Sequence, residues 1–239
     1  MGSSRLPGKI LMPFIGEYSP LEWIIARGRL SNYVDRVIIA TSTNPKDDAT
    51  EALCKKVGCD VYRGSEDDVL QRFAEAVHAF DTQIIADSTG DNPFFDLAVM
   101  DHMVEIYEEG QFDYLNSHPG GLPVGTGTQV FGRAAFDRVA AEATDPYDHE
   151  HVTPYFYHHP ELFRQRIVEP TVVHPFAPQA RLTLDTQQDL DLLRAVATGM
   201  GFTQPEDQPT TNEILDYLQA HPEVAAINKD IVQKTFPKA

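Results

Sequence analysis

The first half of the chain alternates between short β-branched runs and stretches that have the period of a helix. The runs predict strands at 34–41, 60–63 and 83–86, and the stretches predict helices at 21–30, 47–57 and 69–80. Strands that alternate with helices form parallel sheets covered on both faces, because each helix must return the chain to the starting edge of the sheet. The sequence therefore predicts an α/β chain with three α/β/α layers and a mainly parallel sheet.

The second half is less regular. Helices are predicted at 100–109, 136–143, 189–198 and 210–218, strands at 112–116, 164–168 and 181–184, and a Gly/Pro-rich loop at 120–127. We expect one α/β domain over 1–203, with a C-terminal helical tail over 204–239 packed on it, and a loosely tethered end.

Charge and cysteine content narrow the function classes. Acidic residues outnumber basic ones 36 to 19, which gives a formal charge of −17 and disfavours binding to a nucleic-acid backbone. There is no apolar run of about eighteen residues, as a membrane span needs. Cys54 and Cys59 fit no metal or disulfide framework and predict reduced thiols. We therefore expect a cytoplasmic protein with neither nucleic-acid nor membrane partners.

The N-terminal residues 1–9 combine glycines, serines and two cations. Glycine lets a backbone approach a ligand closely, Arg5 offers a planar fork of donors, and Lys9 offers a mobile positive charge. This chemistry suits a polyphosphate. A mildly basic, disordered N-terminus explains the same composition, so both readings stay open.

Two aspartates follow predicted strands. In open parallel sheets ligands bind beyond the carboxyl ends of strands, where Asp91 and Asp185 could hold Mg²⁺ against phosphate oxygens. Each also has a purely structural explanation. Asp91 could belong to an Asp-Asn-Pro turn, and Asp185 could simply precede a helix capped by Thr186 and supported by Asp189.

Several segments resemble one family. Residues 3–9 resemble the signature loop of the sugar cytidylyltransferases of the spore-coat polysaccharide (SpsF-like) type, related to CMP-Kdo and CMP-acylneuraminate synthetases. Residues 64–72 and 145–155 are similar to further motifs of that family, and the resemblance covers nearly the whole chain. It implies the nucleotide-diphospho-sugar transferase fold, Mg²⁺ as cofactor, and CTP plus a sugar or sugar phosphate as substrates. A homodimer is compatible with it.

The resemblance also implies residue roles. Arg5 and Lys9 would act on the triphosphate as catalytic groups, and Asp91 and Asp185 would bind the metal. The implied nucleotide-binding residues are Gly2, Ser3, Ser4, Arg5, Lys9, Ser65 and Arg72. The implied acceptor-binding residues are Glu150, His151, Tyr155 and Arg181.

Alternatives remain for the histidines and for the activity. His149 and His151, with His158 and His159 nearby, could bind zinc if the first two lay on one side of a strand, although no cysteine joins them. A glycosyltransferase of similar fold is a rival, but it usually needs an Asp-x-Asp motif, which 91–93 lacks. A non-catalytic nucleotide-binding module is the other rival.

The chain departs from the resembling family in two places. Residues 124–129 stand where an acidic Asp-Gly-x-Asp-x-Glu stretch is usual, so the acceptor can differ. The apolar first strand that comes before the Met-Gly-Ser-Ser motif in the family is absent from this sequence. We therefore expect the fold to lack its first strand, with ladder groups left unpaired in the sheet.

Overall fold

The computed structural model describes residues 3, 5–117 and 121–233. In these ranges the strands are β1 Ile38–Ser42, β2 Asp60–Gly64, β3 Ile84–Asp87, β4 Tyr114–Asn116, β5 Gln129–Gly132 and β6 Gln165–Ile167. The helices are α1 Pro20–Gly28, α2 Asp48–Lys56, α3 Val69–Ala79, α4 Leu97–Glu108, α5 Arg133–Glu142, α6 Pro146–His151, α7 Pro154–His158, α8 Gln187–Met200, α9 Thr211–Ala220 and α10 Pro222–Ala225.

The strands form two hydrogen-bonded sheets in the described ranges. β1 pairs with β2 in parallel, with Ile38 opposite Asp60. The other four strands lie in the order β3-β5-β4-β6. β5 is antiparallel to both of its neighbours, while β4 and β6 are parallel. β3, β4 and β6 therefore share one direction, and β5 alone is reversed.

The predicted α/β/α layers with a mainly parallel sheet are confirmed. Adjacent residues of a strand point to opposite faces of a sheet, and the core divides accordingly. Tyr114 and Phe131 pack with helices α3 and α5 on one face. Leu115 and Val130 pack with α4 on the other. β5 was not predicted, because its four residues follow a glycine-rich loop and end at Gly132, so the run is short.

Most predicted helices form, and their ends match their capping residues. Ser19 caps α1 through a reciprocal box with Glu22, with Pro20 at the first helical position. Thr186 caps α8 in the same way with Asp189. Thr186 is thus a helix cap, as one of the two interpretations of this segment predicts, and Asp185 directly precedes it.

Two local predictions are wrong. The segment that holds His149 and His151 is helix α6 and not a strand, because Asp145 caps it and Pro146 starts it. Residues 181–184 form no strand. They make one isolated parallel bridge, between Arg181 and Val124.

The C-terminal part packs on the domain as far as the structure describes it. Ile214, Leu215 and Leu218 of α9 lie in the core cluster that contains Trp23 and Leu193. Asn228 is buried, and the expected loosely tethered end extends into residues 234–239, which lie outside the described residues. No described helix is both long and apolar enough to cross a membrane.

Candidate active site

Asp91 and Asp185 come from distant parts of the chain and meet beyond the carboxyl end of β3. The backbone carbonyl of Asp91 accepts hydrogen bonds from Leu184 N (2.7 Å) and Thr183 Oγ1 (3.2 Å). These bonds fix the segment after β3 against the segment before α8. Hydrogen bonds to the backbone of Asp91 therefore bring the two carboxylates close together.

The ammonium of Lys9 joins the two carboxylates. Its Nζ lies 3.0 Å from Asp91 Oδ2 and 2.9 Å from Asp185 Oδ1. The Lys9 and Asp185 side chains are each only 12% exposed, so water screens this contact weakly. The hydroxyl of Thr89 donates to the other oxygen of Asp91 at 2.5 Å. One cation thus occupies the point on which both carboxylates converge.

Two guanidinium groups complete the ring of charge around Asp185. Arg5 lies 2.9 Å and Arg181 2.7 Å from its Oδ2. Burial opposes ionisation of the Asp185 carboxyl, but Lys9, then Arg181 and Arg5, outweigh burial and hold its pKa below the ordinary value. Asp185 is therefore an anion that three cations share.

Asp189 holds Arg181 and the backbone of Asp185 in place. Its side chain is fully buried and accepts hydrogen bonds from Arg181 Nε (2.9 Å) and Asn228 Nδ2 (2.8 Å). It also accepts from the backbone amides of Asp185 and Thr186 at 3.0 and 2.9 Å. Asp189 therefore orients both Arg181 and the backbone that carries Asp185. We call the whole group the aspartate cluster: Arg5, Lys9, Asp91, Arg181, Asp185 and Asp189.

The loop that departs from the family pattern packs against this segment. Leu182 N donates to Val124 O at 2.7 Å. Gly125 has a φ of +97°, and a Cβ there would lie 2.2 Å from Thr183 N. Only glycine permits both the conformation and the approach. The loop thus fixes the position of the backbone of residues 181–185.

The carboxylates fit a divalent cation that substrate helps to coordinate. The described residues contain no group of three His, Cys, Asp or Glu side chains that could hold a metal by themselves. Mg²⁺ usually takes one or two protein carboxylates and completes its shell with water and phosphate oxygens. Two carboxylate oxygens that already converge on the Lys9 ammonium match that requirement.

The predicted nucleotide-binding residues of the N-terminal loop lie partly outside the described ranges. Gly2 and Ser4 are not described. Ser3 Oγ accepts a hydrogen bond from Leu6 N at 3.3 Å. Gly8 has a φ of +71° and precedes the turn that contains Lys9. The loop therefore folds back on itself, and this brings Arg5 and Lys9 to the same carboxylate.

A cavity of about 460 Å³ adjoins the aspartate cluster at Gly90. Arg72, Glu150 and His151 line it, which brings one predicted nucleotide residue and two predicted acceptor residues to the same space. Ser65 contacts Arg72, whose guanidinium donates to the Ser65 carbonyl. The residues that line the cavity are thus grouped beside the cluster.

A family model described as cytidylyltransferase matches residues 1–215. The chain belongs to the cytidylyltransferase family. It is 35% identical to the spore coat polysaccharide biosynthesis protein SpsF of Bacillus subtilis over 233 residues, which span 94% of this chain and 93% of SpsF.

Solved structures agree with this assignment to the cytidylyltransferases. A cytidylyltransferase from Leptospira borgpetersenii superposes with a TM-score of 0.86 at 27% identity, covering 98% of this chain and 95% of that one. A CMP-2-keto-3-deoxy-manno-octonic acid synthetase complexed with CTP has a TM-score of 0.60 at 17% identity, covering 83% and 95%. The second likeness shows the shared fold.

Some predicted residues of this cytidylyltransferase lie elsewhere. The Tyr155 ring is buried in the core, and its hydroxyl donates to Glu142 at 3.1 Å. Arg181 is committed to Asp185 and Asp189, away from Glu150. His149 contacts Asp68 at 2.9 Å, and this hydrogen bond raises its pKa. Both of its ring nitrogens are engaged, the other by Ala143 O.

Sequence reasoning missed four contributors. Thr89, Asp189 and Asn228 hold the aspartate cluster, and Asp87 lines the cavity. Thr89 and Asp87 could have been found, because both stand where β3 ends. Asp189 carried a signal only as a helix cap, and Asn228 carried none.

Proposed function

We propose that the chain transfers a cytidylyl group from CTP to a sugar or sugar phosphate and releases pyrophosphate. The observation that carries the proposal is the contact of Lys9 with both Asp91 and Asp185, with Arg5 on the same carboxylate. Cations from the N-terminal loop and carboxylates from two other segments meet at one point. A nucleoside triphosphate with a divalent ion needs both kinds of group.

The reaction is a substitution at phosphorus. An acceptor oxygen attacks the α-phosphorus, the bond from that phosphorus to the bridging oxygen of the β-phosphate breaks, and pyrophosphate leaves with the electron pair. A hydroxyl acceptor gives up its proton to solvent. Such transfers depend mainly on positioning and on neutralising charge, so no covalent nucleophile is required.

The cluster's charges explain how CTP would enter. Three cations balance three carboxylates in the ligand-free cluster. We propose that Lys9 and Arg5 turn from the carboxylates to the triphosphate oxygens. Asp91 and Asp185 are then free to bind Mg²⁺, while Arg181 stays with Asp189 and keeps Asp185 in place. Bound Mg²⁺ would supply positive charge against the phosphates.

The neighbouring residues would bind the rest of the substrates. Ser65 and Arg72 are proposed for the nucleotide side, and Glu150 and His151 for the acceptor side, since three of these four line the cavity next to Gly90. Tyr155 would support that side from within the core through Glu142. The loop 124–129 is proposed to set acceptor specificity.

The test is pyrophosphate release measured over a panel of nucleoside triphosphates and sugar acceptors, with Mg²⁺ and with a chelator. We expect a preference for CTP and a loss of activity with the chelator. Asp91→Asn and Asp185→Asn should each lower turnover by at least about a hundredfold. The matched control is Asp191→Asn, an exposed carboxylate of α8 that bonds Gln187.

The substitutions also separate turnover from binding. Lys9→Ala should weaken CTP binding, and the loss should shrink at high salt because the contact is ionic. Lys56→Ala, which removes an exposed lysine of α2, is the control. Normal turnover by a stably folded Asp91→Asn variant would reject the proposed role of Asp91. Release from no triphosphate with any acceptor would reject the activity.

A further inference from the structure

The chain that follows α9 returns to the aspartate cluster. Val224 and Ile227 pack against the core cluster that contains Leu193 of α8. This packing brings Asn228 to the start of α8, where its side chain is buried. We call residues 224–233 the C-terminal segment.

Asn228 bonds two groups of the aspartate cluster through one amide nitrogen. Its Nδ2 donates to Asp189 Oδ1 at 2.8 Å and to the backbone carbonyl of Arg181 at 3.1 Å. Hydrogen bonds to a carboxylate are stronger than those between neutral groups, and burial keeps water from replacing them. Asn228 therefore satisfies the buried Asp189 carboxylate without adding a charge to the cluster.

Gln233 contacts Arg181 as well. The Nη1 of Arg181 donates to the side-chain oxygen of Gln233. The other two nitrogens of the guanidinium face carboxylates, with Nε 2.9 Å from Asp189 and Nη2 2.7 Å from Asp185. All three nitrogens thus have partners, and the C-terminal segment supplies one of them for the cation that pairs with Asp185.

The two oxygens of the Asp189 carboxylate face different neighbours. Oδ1 accepts from Asn228 and from Arg181 Nε. Oδ2 accepts from the backbone amides of Asp185 and Thr186, at 3.0 and 2.9 Å. Because a carboxylate is rigid and planar, the bonds to Oδ1 fix the direction of Oδ2. They thereby hold the backbone that carries Asp185.

We propose that Asn228 is a positioning residue, which acts through Asp189 and Arg181 to orient the Asp185 carboxylate for the divalent cation. Groups that orient a metal-binding side chain from outside the metal site commonly contribute tenfold or more to metal affinity. Asn228 lies beyond residues 1–215, the range that the cytidylyltransferase family model matches. Only the metal part of this inference rests on the proposed nucleotidyl transfer, because the hydrogen bonds concern the ligand-free chain.

Hydrogen exchange in the ligand-free full chain tests the positioning. Asn228→Ala removes a bond to a carboxylate, so exchange at the Asp185 and Thr186 amides should be at least about tenfold faster. The Ser19 amide serves as an internal reference. It is buried and donates to Glu22 at 2.8 Å in the capping box of α1, and its rate should not change.

Two further variants complete this test. Asn212→Ala is the matched control, because Asn212 of α9 donates to the backbone carbonyl of Val172 at 3.2 Å, and it should leave the three amides unchanged. Gln233→Ala covers the case in which Asn228→Ala does not fold. Gln233 is exposed, so this variant removes a partner of Arg181 and little packing, and the Asp185 amide should exchange about threefold faster.

CTP binding tests the consequence for the metal. Calorimetric titration of CTP into the full chain is performed once with Mn²⁺ and once with a chelator. In Asn228→Ala the affinity for CTP with Mn²⁺ should fall about tenfold, and the affinity with the chelator should equal that of the parent. Asn212→Ala should match the parent in both titrations.

Three results would overturn the inference. Unchanged exchange at the Asp185 and Thr186 amides would show that Asn228 does not hold this backbone. Equal acceleration at Ser19 would reduce its role to general stability. Unchanged CTP affinity with Mn²⁺, in a variant whose Asp185 amide exchanges faster, would remove the link to the metal. If the parent binds no CTP, the proposed function fails, and hydrogen exchange alone decides whether Asn228 positions Asp185.

Discussion

The aspartate cluster and the cavity beside it each contain an aspartate that sequence reasoning did not place there, Asp189 in the cluster and Asp87 in the cavity wall. Asp189 accepts hydrogen bonds from Arg181, Asn228 and two backbone amides. Burial is the cause of the raised pKa of the Asp87 carboxyl. The same residue type is therefore held by hydrogen-bond partners in one region, while burial favours its protonated form in the other.

The two aspartates differ in whether the protein supplies hydrogen-bond partners for a buried carboxylate. A buried charge is tolerated when partners replace its water, as they do for Asp189. Where such partners are missing, burial shifts the pKa of the carboxyl toward the neutral form. The charged side chains of the cluster pair with one another, whereas Thr50 Oγ1, Arg72 Nε and Ser88 Oγ in the cavity wall are buried without a hydrogen bond in the described part of the chain. Four substitutions test this contrast.

The largest effect is expected from Asp189→Asn. The change removes the charge that pairs with buried Arg181, and we expect a loss of about 3–5 kcal/mol in the free energy of unfolding. Urea denaturation measures it. Asp191→Asn, two residues away on the exposed face of α8, should change stability by less than about 0.5 kcal/mol. Equal effects of the two changes would mean that the Asp189 network contributes nothing special.

Gly125→Ala should follow, at about 3 kcal/mol. The added Cβ would lie 2.2 Å from Thr183 N, and φ is +97°, so the backbone must shift where it supports Asp185. Gly58→Ala is the matched control, because its φ is also positive (+63°) but nothing lies within 4 Å. We expect about 1 kcal/mol there. The melting temperatures of the two variants separate the steric clash at position 125 from the strain of a positive φ, which both positions share.

Asp87→Asn should remove a pH dependence. The folded pKa of about 6 lies above the ordinary 3.8, so the folded state keeps a proton that the unfolded state has lost. The protonated Asp87 carboxyl therefore favours the folded state at low pH, and this contribution is lost as pH rises from about 4 to about 6. The parent should therefore lose about 2 kcal/mol relative to Asp87→Asn across that window.

Unfolding curves at several pH values measure the Asp87 effect. Asp67→Asn, which alters an exposed carboxylate, should follow the parent. Parallel curves for the parent and Asp87→Asn would show that Asp87 is already satisfied in the folded protein, which would weaken the contrast with Asp189.

Thr186→Ala should have the smallest effect, about 1 kcal/mol. Thr186 caps α8, and Thr210 caps α9 with the same reciprocal box, so Thr210→Ala is a matched comparison. Similar losses are expected by urea denaturation. A much larger loss at Thr186 would show that its cap is coupled to the buried network of Asp189. The Asp189 carboxylate accepts a hydrogen bond from the Thr186 hydroxyl.

Local signals explain most of what could be predicted from the sequence. Helix α1 follows from Ser19, Pro20 and the apolar period, and α3 and α9 follow from similar patterns. Asp91 and Asp185 could be proposed together because each stands after a predicted extended segment. Helix α6 could have been predicted from Asp145 and Pro146, and it was missed because the spacing of His149 and His151 was interpreted first.

Contacts between distant segments decided the rest. Lys9 and Asp185 are 176 positions apart, and no local pattern reports that their side chains meet. The reversal of β5 depends on which strands it pairs with, and the role of Asn228 depends on where the C-terminal segment docks. The layers, the helix ends and the candidate groups follow from the amino-acid sequence, since they depend on neighbours along the chain. Which charges pair depends on the tertiary fold, because those energies arise between residues that are far apart in the sequence.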